Sequence, residues 1–337
     1  MTRLACFGAG RIGQIHALNA ARLPDVSLVA IADPIDSPAR AQLCAATGAQ
    51  LRATQDIFDD PDIDGVIIAS STDSHVDLLR LAAQTGKAVF CEKPISLDFA
   101  LSEQVTQAVE ASGIRCMMGF QRRYDASFRA LRERIASGEA GRLEQLSMWS
   151  RDPAPPPRAY VERSGGMFRD SSIHDADMVR YMMDEEIATV YAVGACLISE
   201  EIGAAGDVDS LMITMTTVSG RQAQITGCRR GPMGFDQRLE ALCSHEVLSI
   251  ANQPQHHMVV STRSGALSAP PEAYFLERFA QAYRDEMVDF VAMIRDAHVP
   301  LAGIRDGFEA QRLVEAAIRS MCEGRAVDLR QPQLEEV

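Results

Sequence analysis

The stretch Leu4-Ala5-Cys6-Phe7-Gly8-Ala9-Gly10-Arg11-Ile12-Gly13 joins a short apolar run to a G-x-G-x-x-G turn. The apolar run predicts a buried strand, and residues 12–23 repeat with the period of a helix. Between a strand and a helix, the three glycines allow a tight turn, the approach of a pyrophosphate to the backbone, and close packing of the helix. The sequence therefore predicts a dinucleotide-binding turn in which Gly8, Gly10, Arg11 and Ile12 contact the cofactor.

A carboxylate at the end of the second predicted strand indicates which dinucleotide binds. Asp33 lies twenty residues after Gly13, and no Arg or Lys follows it until Arg40. A carboxylate there accepts hydrogen bonds from the adenosine ribose and repels a ribose phosphate. The sequence thus favours NAD over NADP.

The first 120 residues alternate short apolar runs with helical patterns. The predicted strands are residues 4–7, 27–32, 65–69, 88–91 and 115–119. The predicted helices between them are residues 12–23, 38–46, 73–85 and 97–111. Continuous apolar strands that alternate with helices are typical of a parallel sheet covered on both faces. We therefore expect an N-terminal α/β domain with a doubly wound Rossmann sheet.

The pattern changes after Phe120. The four prolines within residues 152–157 predict a stiff loop, because proline lacks a donor and fixes φ; an extended segment precedes it at residues 143–151. Strand-like segments then follow one another without helices between them, at residues 189–198, 210–218, 222–228, 239–243 and 258–262. Helical patterns occupy residues 124–137, 171–183, 280–296 and 306–323. We expect an α+β domain with a large, mainly antiparallel open sheet, and domains at residues 1–121 and 122–337.

Composition and charge exclude several classes of function. The chain has 337 residues, with 33 Lys and Arg against 46 Asp and Glu, and its net charge of −13 disfavours nucleic acid and anionic membranes as partners. The apolar runs are shorter than the about 18 residues that a membrane span needs, and the N-terminus lacks a secretory signal pattern. Eight scattered cysteines without a C-x-x-C pair predict reduced thiols, no metal site and a cytoplasmic location.

Lys93 directly follows the fourth predicted strand, within Glu92-Lys93-Pro94. Ligands of open α/β sheets bind at the carboxyl ends of the strands, so this lysine is expected beside the bound dinucleotide. An ammonium there can donate a hydrogen bond to a reacting hydroxyl and exchange a proton with it. The alternative is a solvated loop charge.

A second candidate group precedes a helical pattern, where Asp170, His174 and Asp177 are spaced to share one helix face. An Asp–His pair suits proton transfer, because the carboxylate fixes the imidazole tautomer and stabilises its protonated form. Two alternatives remain: an N-capping Asp beside a structural His, and a metal site, which lacks a supporting Glu or His cluster.

Together, Glu92-Lys93-Pro94 and the D-x-x-x-H spacing of Asp170 and His174 resemble the Gfo/Idh/MocA oxidoreductase family. Further blocks resemble its inositol 2-dehydrogenase branch, at residues 120–125, 150–157, 165–177, 206–209 and 236–238. The resemblance implies NAD-dependent oxidation of an inositol hydroxyl, with Lys93, Asp170 and His174 as the catalytic residues. It also implies a homo-oligomer, most simply a tetramer. The chain departs from the branch at Phe235, where tyrosine is usual, and at residues 69–75, where A-T-P-N-x-x-H is usual.

The same resemblance implies the remaining site residues. The further cofactor contacts that it implies are Ser70, Ser71, His75, Glu92, Lys93 and Gln121. The implied substrate contacts are Lys93, Arg123, Asp152, Asp170 and His174. For Arg123 and Asp152, a purely structural ion pair is the alternative.

Three other functions stay open: a dehydrogenase of another cyclitol or an aldose, a non-catalytic dinucleotide-binding regulator, and an NAD-retaining glycosidase. A regulator would not need Lys93, Asp170 and His174 together, so their joint presence favours a dehydrogenase whose partner is a small cyclitol or sugar.

Overall fold

The computed structural model describes residues 1–331, which form two compact units. The first unit comprises Met1–Tyr124 and Gln281–Glu309; the second begins with Asp125–Ala280 and resumes at Ala310. The first of these divisions lies three residues from the predicted boundary between residues 121 and 122. The segment Gln281–Glu309 departs from the prediction, since we assigned it to the second domain and it packs within the first unit.

The first unit contains a six-stranded sheet in which every pair of neighbours is parallel. Its strands are β1 (Thr2–Phe7), β2 (Val26–Ala32), β3 (Gln50–Leu51), β4 (Gly65–Ile68), β5 (Ala88–Glu92) and β6 (Cys116–Gly119), in the order β3-β2-β1-β4-β5-β6. Its helices are α1 (Arg11–Ala21), α2 (Pro38–Thr47), α3 (Thr54–Phe58), α4 (His75–Thr85) and α5 (Phe99–Ser112). The order reverses beside β1, and the predicted doubly wound Rossmann sheet is confirmed.

The second unit is built on a seven-stranded sheet. Its helices are α6 (Ala126–Ala136), α7 (Arg158–Ser164), α8 (Ile173–Met183), α9 (Glu200–Ala204) and α10 (Phe275–Arg278). Its strands are β7 (Leu143–Arg151), β8 (Ile187–Ala195), β9 (Ser210–Thr217), β10 (Gln222–Cys228), β11 (Asp236–Cys243), β12 (Val247–Ile250), β13 (Val259–Thr262), β14 (Gly265–Ser268) and β15 (Val327–Asp328). The large sheet has the order β12-β11-β7-β10-β9-β8-β15.

Within this sheet β7 and β10 run parallel, while the other neighbouring pairs are antiparallel. The prediction of a mainly antiparallel sheet is therefore confirmed. The predicted strand at residues 258–262 is the exception, because β13 pairs with β14 in a separate hairpin. Both strands of that hairpin are exposed along their whole length, so its residues lack the buried partners that would place them in the large sheet.

Two local features around the candidate site differ from a simple helix-and-loop description. Residues 152–157 have no regular structure, as predicted, but the short helix α7 follows them immediately. Phe168–Ser172 forms a π-helical turn, and the regular helix α8 begins only at Ile173. Asp170 therefore lies on the π-helical turn, one residue before the helical pattern predicted at residues 171–183, and His174 lies in the regular helix that follows.

The last two helices are α11 (Ala280–Asp296) and α12 (Ile304–Glu323). Most of α11 belongs to the first unit because it carries apolar side chains onto the parallel sheet. The rings of Phe290 and Phe90 lie 6.0 Å apart. A Cβ on Gly65 would come within 2.8 Å of the Ile294 side chain and 3.2 Å of the Phe290 ring. These contacts join residues 200 or more positions apart in sequence, which local periodicity does not reveal.

Candidate active site

The glycine turn between β1 and α1 has the backbone that the motif predicts. Gly8 has a φ of +95°, and a Cβ there would lie 2.6 Å from the carbonyl oxygen of Ala69. A Cβ on Gly13 would lie 2.1 Å from the carbonyl oxygen of Gly8, whereas one on Gly10 would meet nothing within 4 Å. Gly8 and Gly13 are thus needed by the fold itself, and Gly10 leaves open space at the start of α1. That space fits the close approach of a pyrophosphate.

Asp33, directly after β2, is held against this turn. Its Oδ2 accepts a hydrogen bond of 2.6 Å from the backbone N–H of Ala9, and its Oδ1 accepts one of 2.8 Å from Ile35. The side chain of Arg40 donates to the Asp33 carbonyl oxygen and to Asp36. The structure therefore brings the predicted ribose-binding carboxylate to the glycine turn, as expected where β1 and β2 end side by side.

The loops after β4 and β5 are tied together by His75. Its ring is buried, with Nδ1 at 2.9 Å from the carbonyl oxygen of Pro94 and Nε2 at 3.2 Å from that of Ser70. Burial lowers the pKa of His75, although these two carbonyl groups oppose the shift. Ser71 lies in the same loop, and its carbonyl oxygen accepts a hydrogen bond of 2.7 Å from the Ser74 hydroxyl. His75 thus connects the Ser70 loop to the segment that carries Lys93.

Glu92 ends β5 and links Lys93 to the first helix. Its Oε1 lies 2.7 Å from Nε2 of His16, and its Oε2 accepts a hydrogen bond of 3.3 Å from the backbone N–H of Lys93. A Cβ on Gly119 of β6 would come within 2.9 Å of this carboxyl group, so glycine makes room for it. His16 was missed by the sequence analysis. Its signal was its position three residues after Gly13, where α1 faces the sheet.

Arg123 lies in a short 3-10 helix, Gln121–Tyr124, that follows β6, and both it and Gln121 are buried. The Arg123 guanidinium donates to the carbonyl oxygen of Leu301 and, at 3.0 Å, to Oδ1 of Asp306. These contacts fit the alternative role of Arg123, that of a purely structural ion pair. Its role in binding substrate, and that of Gln121 in binding the cofactor, stay predictions.

In the second unit, the parallel pair β7 and β10 brings two charged residues together. Asp152 follows β7 and Arg229 follows β10, and the Asp152 N–H donates a 2.9 Å hydrogen bond to the carbonyl oxygen of Cys228. The Arg229 side chain is only 3% exposed, and its Nη1 lies 3.2 Å from Oδ2 of Asp152. The ends of two parallel strands meet at one edge of a sheet, which explains why residues 77 positions apart form this pair.

The same guanidinium also reaches the π-helical turn. Arg229 lies 3.3–3.4 Å from Oδ2 of Asp170 and donates a 2.8 Å hydrogen bond to Oγ of Ser171. The hydroxyl of Tyr160, on α7, donates a 3.0 Å hydrogen bond to Oδ1 of Asp170. The structure thus brings Asp152 and Asp170 together around an arginine and a tyrosine that the sequence analysis missed.

His174 lies in the first turn of α8, four residues after Asp170, and is partly exposed. Asp177, one turn further along, is completely buried. The ring of Phe235 is buried as well, edge-on to the ring of Tyr274 at 5.5 Å. Within residues 1–331, no group of three or more His, Cys, Asp or Glu side chains is arranged to hold a metal ion. Over the same residues, none of the helices combines the length and apolar character of a membrane span.

Comparison with known proteins identifies the family. Residues 2–120 match the family model for the oxidoreductase family with an NAD-binding Rossmann fold, and residues 128–249 match the Gfo/Idh/MocA C-terminal domain. The chain is also 40% identical over 328 residues to an inositol 2-dehydrogenase of Rhizobium meliloti, a match that covers 97% of this chain and 99% of that protein. The chain belongs to the Gfo/Idh/MocA oxidoreductase family. Residues 2–120, within its first unit, form the NAD-binding Rossmann domain of that family.

Solved structures of Gfo/Idh/MocA members share the fold over almost the whole chain. A myo-inositol dehydrogenase from Corynebacterium glutamicum is 39% identical and aligns with a TM-score of 0.94, covering 98% of this chain and 99% of that one. A scyllo-inositol dehydrogenase from Lactobacillus casei, with NAD(H) and scyllo-inositol bound, is 27% identical and aligns with a TM-score of 0.90, covering 98% of this chain and all of that one. The family and fold predicted from the sequence are therefore confirmed.

Proposed function

We propose that this protein is an NAD-dependent inositol 2-dehydrogenase, which oxidises myo-inositol to 2-keto-myo-inositol (scyllo-inosose). The observation that carries this proposal is the 40% identity to an inositol 2-dehydrogenase over 97% of the chain. The 39% identity to the myo-inositol dehydrogenase from Corynebacterium glutamicum supports the same substrate. The reaction removes a hydride from the ring carbon and a proton from its hydroxyl, and it yields the ketone, NADH and one proton.

The glycine turn and Asp33 fit the cofactor, because Gly10 leaves space for a pyrophosphate and Asp33 offers an acceptor for ribose hydroxyls beside it. When bound, NAD supplies the hydride acceptor. We propose that Lys93 donates a hydrogen bond to the reacting oxygen and that His174 takes its proton, oriented by Asp170. In the alternative mechanism, Lys93 is itself the base and takes the proton of the hydroxyl.

A neutral polyol ring requires several fixed donors and acceptors, and we propose Arg123 and Asp152 for this role beside the three catalytic residues. The remaining cofactor contacts would come from Ser70, Ser71, His75, Glu92 and Gln121. Substitution of Arg123 or Asp152 should therefore weaken binding of the polyol only, whereas substitution of one of these five cofactor contacts should weaken binding of NAD only.

We further propose that the enzyme is a cytoplasmic homotetramer. The outer positions of β8 and β9 carry large apolar side chains, with Tyr191, Val193 and Met212 all exposed. A sheet face of this kind is expected to be covered by a second copy of the chain. Size-exclusion chromatography with light scattering tests this proposal, and a monomer at micromolar concentration would contradict it.

The experiment that tests the function measures NADH at 340 nm with purified protein, NAD and myo-inositol near pH 9. Lys93→Met should abolish turnover even at NAD concentrations that saturate the protein. Lys93→Arg separates the two mechanisms, since arginine keeps the cation and its N–H donors but cannot give up a proton: retained turnover supports His174 as the base, and lost turnover supports Lys93. Turnover by Lys93→Met at the wild-type rate would refute the role of Lys93.

Scyllo-inositol is the second candidate substrate, because a Gfo/Idh/MocA structure of the same fold at 27% identity contains it together with NAD(H). The two substrates differ in the orientation of one hydroxyl, so the ratio of their kcat/KM values distinguishes the two activities. A ratio that favours scyllo-inositol would replace the proposed substrate. Absence of turnover with any cyclitol or aldose, with NAD still bound, would favour a regulator.

A further inference from the structure

Arg229 is a buried cation enclosed by carboxylates. Its guanidinium contacts Asp152 and Asp170 within 3.4 Å, and it donates to the hydroxyl of Ser171. Burial alone would lower the pKa of Arg229, but the charges of Asp170, Asp152 and Asp207 raise it, and the net shift is upward. The side chain is therefore a permanent positive charge with little access to water.

This geometry matters because both carboxylates approach the same guanidinium nitrogen, Nη1. Two carboxylates that share one buried cation stay ionised, whereas two that lose it repel each other until one takes up a proton. An ionised carboxylate only accepts hydrogen bonds, whereas a protonated carboxyl group also donates one. The cation therefore decides whether Asp152 and Asp170 offer acceptors or a donor to the hydroxyl groups of a polyol. The planar fork of arginine also fixes their positions, which a point charge cannot do.

We propose that Arg229 is a positioning residue that determines substrate specificity: it holds Asp152 and Asp170 as a fixed pair of ionised acceptors for the hydroxyl groups of a polyol. The inference rests on the function proposed above, because it assigns to Arg229 the arrangement of two residues placed at the substrate. It assigns no contact between Arg229 and the reacting atoms.

The test compares Arg229→Gln and Arg229→Lys with Arg230→Gln, a neighbouring exposed arginine that serves as the matched control. Arg229→Gln should raise the KM for myo-inositol about ten- to hundredfold, the usual effect of lost charged hydrogen bonds. The Kd for NAD should be unchanged, because the glycine turn and Asp33 lie in the other compact unit. Arg230→Gln should stay within about twofold of wild type, as surface substitutions usually do.

The pH profile of kcat/KM separates positioning from mere structural support. The groups that face Arg229 are Asp152, Asp170 and Asp207, and Tyr160 faces Asp170. Removal of the cation favours the protonated carboxyl, so the acid limb of Arg229→Gln should move to higher pH. Arg229→Lys keeps the charge but not the fork, so it should restore the acid limb and leave the KM raised.

Each result decides between the two proposals. If the wild type turns over a polyol, and Arg229→Gln has the same KM and the same acid limb as Arg230→Gln, the role of Arg229 is overturned and the proposed function stands. A wild type that makes no NADH from any polyol overturns both. If Arg229→Gln fails to fold, Arg229→Lys carries the test: a wild-type KM in that variant overturns the inference, and a raised KM with an unchanged acid limb supports it.

Discussion

The buried carboxyl group of Glu286 makes the stability of the first unit depend on pH. Glu286 lies on α11 with none of its surface exposed, and neither carboxyl oxygen has a hydrogen-bond partner among residues 1–331. Burial raises the pKa of Glu286 well above its usual range, and the charges of Glu92 and Asp289 act in the same direction. The folded chain therefore keeps a proton that the unfolded chain releases above a pKa of about 4.3.

We expect Glu286→Gln, which has the shape of the protonated acid and does not titrate, to stabilise the protein increasingly as pH rises. A group whose pKa is raised on folding favours the folded state below its unfolded-state pKa, and this contribution is lost as pH rises towards the folded-state pKa. The wild type should thus lose about 1.4 kcal/mol per pH unit relative to the variant. Over two pH units in which Glu286 stays protonated in the folded chain, the difference reaches about 3 kcal/mol. In melting temperature this is about 6–12 °C.

The assay is thermal unfolding followed by circular dichroism at pH 5, 6, 7 and 8. Glu103→Gln makes the same chemical change at an exposed position on α5, and it should follow the wild type at every pH. If the melting temperature of Glu286→Gln instead runs parallel to that of the wild type over the whole range, Glu286 binds no extra proton in the folded state. That result would refute the reasoning.

Two further predictions concern the NAD-binding domain. Lys87 and Lys93 are the two lysines of the sequence, and the Nζ of Lys87 is bonded to the backbone oxygens of Asp60 and Ile63. We place Lys93 at the reacting hydroxyl, so its modification by an amine-directed reagent should inactivate the enzyme; peptide mass spectrometry that finds the label of an inactivated sample on Lys87 instead would contradict this. Gly10→Ala should leave the melting temperature unchanged but weaken NAD binding, whereas Gly13→Ala should lower the melting temperature itself, because its Cβ would lie 2.1 Å from a backbone oxygen. Equal melting temperatures for the two variants would disprove this distinction.

The fold of the first unit could be predicted from local signals because its elements are local. Its buried strands are mainly apolar runs, and helices such as α2 begin and end at residues with a recognisable capping role, Ser37 and Gly48. The two-residue strand β3 and the placement of α11 left no such signal. The position of α11 depends on Phe290 and Ile294 meeting Phe90 and Gly65, which only the folded chain brings together.

The candidate site divides along the same line. The glycine turn, Asp33 and Lys93 could be predicted because each lies directly before or after a recognisable strand. His16, Tyr160 and Arg229 could not, since each acquires its contact from a partner elsewhere in the chain. His16 and Glu92 are 76 residues apart, and Arg229 and Asp170 are 59 apart. The π-helical turn also escaped prediction, because its residues repeat almost as those of an α-helix do.

A single geometric rule accounts for the candidate residues of both units. Where parallel strands lie side by side, the loops that follow them leave from the same edge, whereas successive loops of antiparallel strands alternate between edges. In the first unit this rule brings Asp33, after β2, to the loop after β1, with 2.6 Å between Asp33 and the Ala9 N–H. In the second unit the parallel pair β7 and β10 supplies Asp152 and Arg229. A parallel pair within an otherwise antiparallel sheet therefore explains why Arg229, an arginine that no motif singles out, lies beside Asp152.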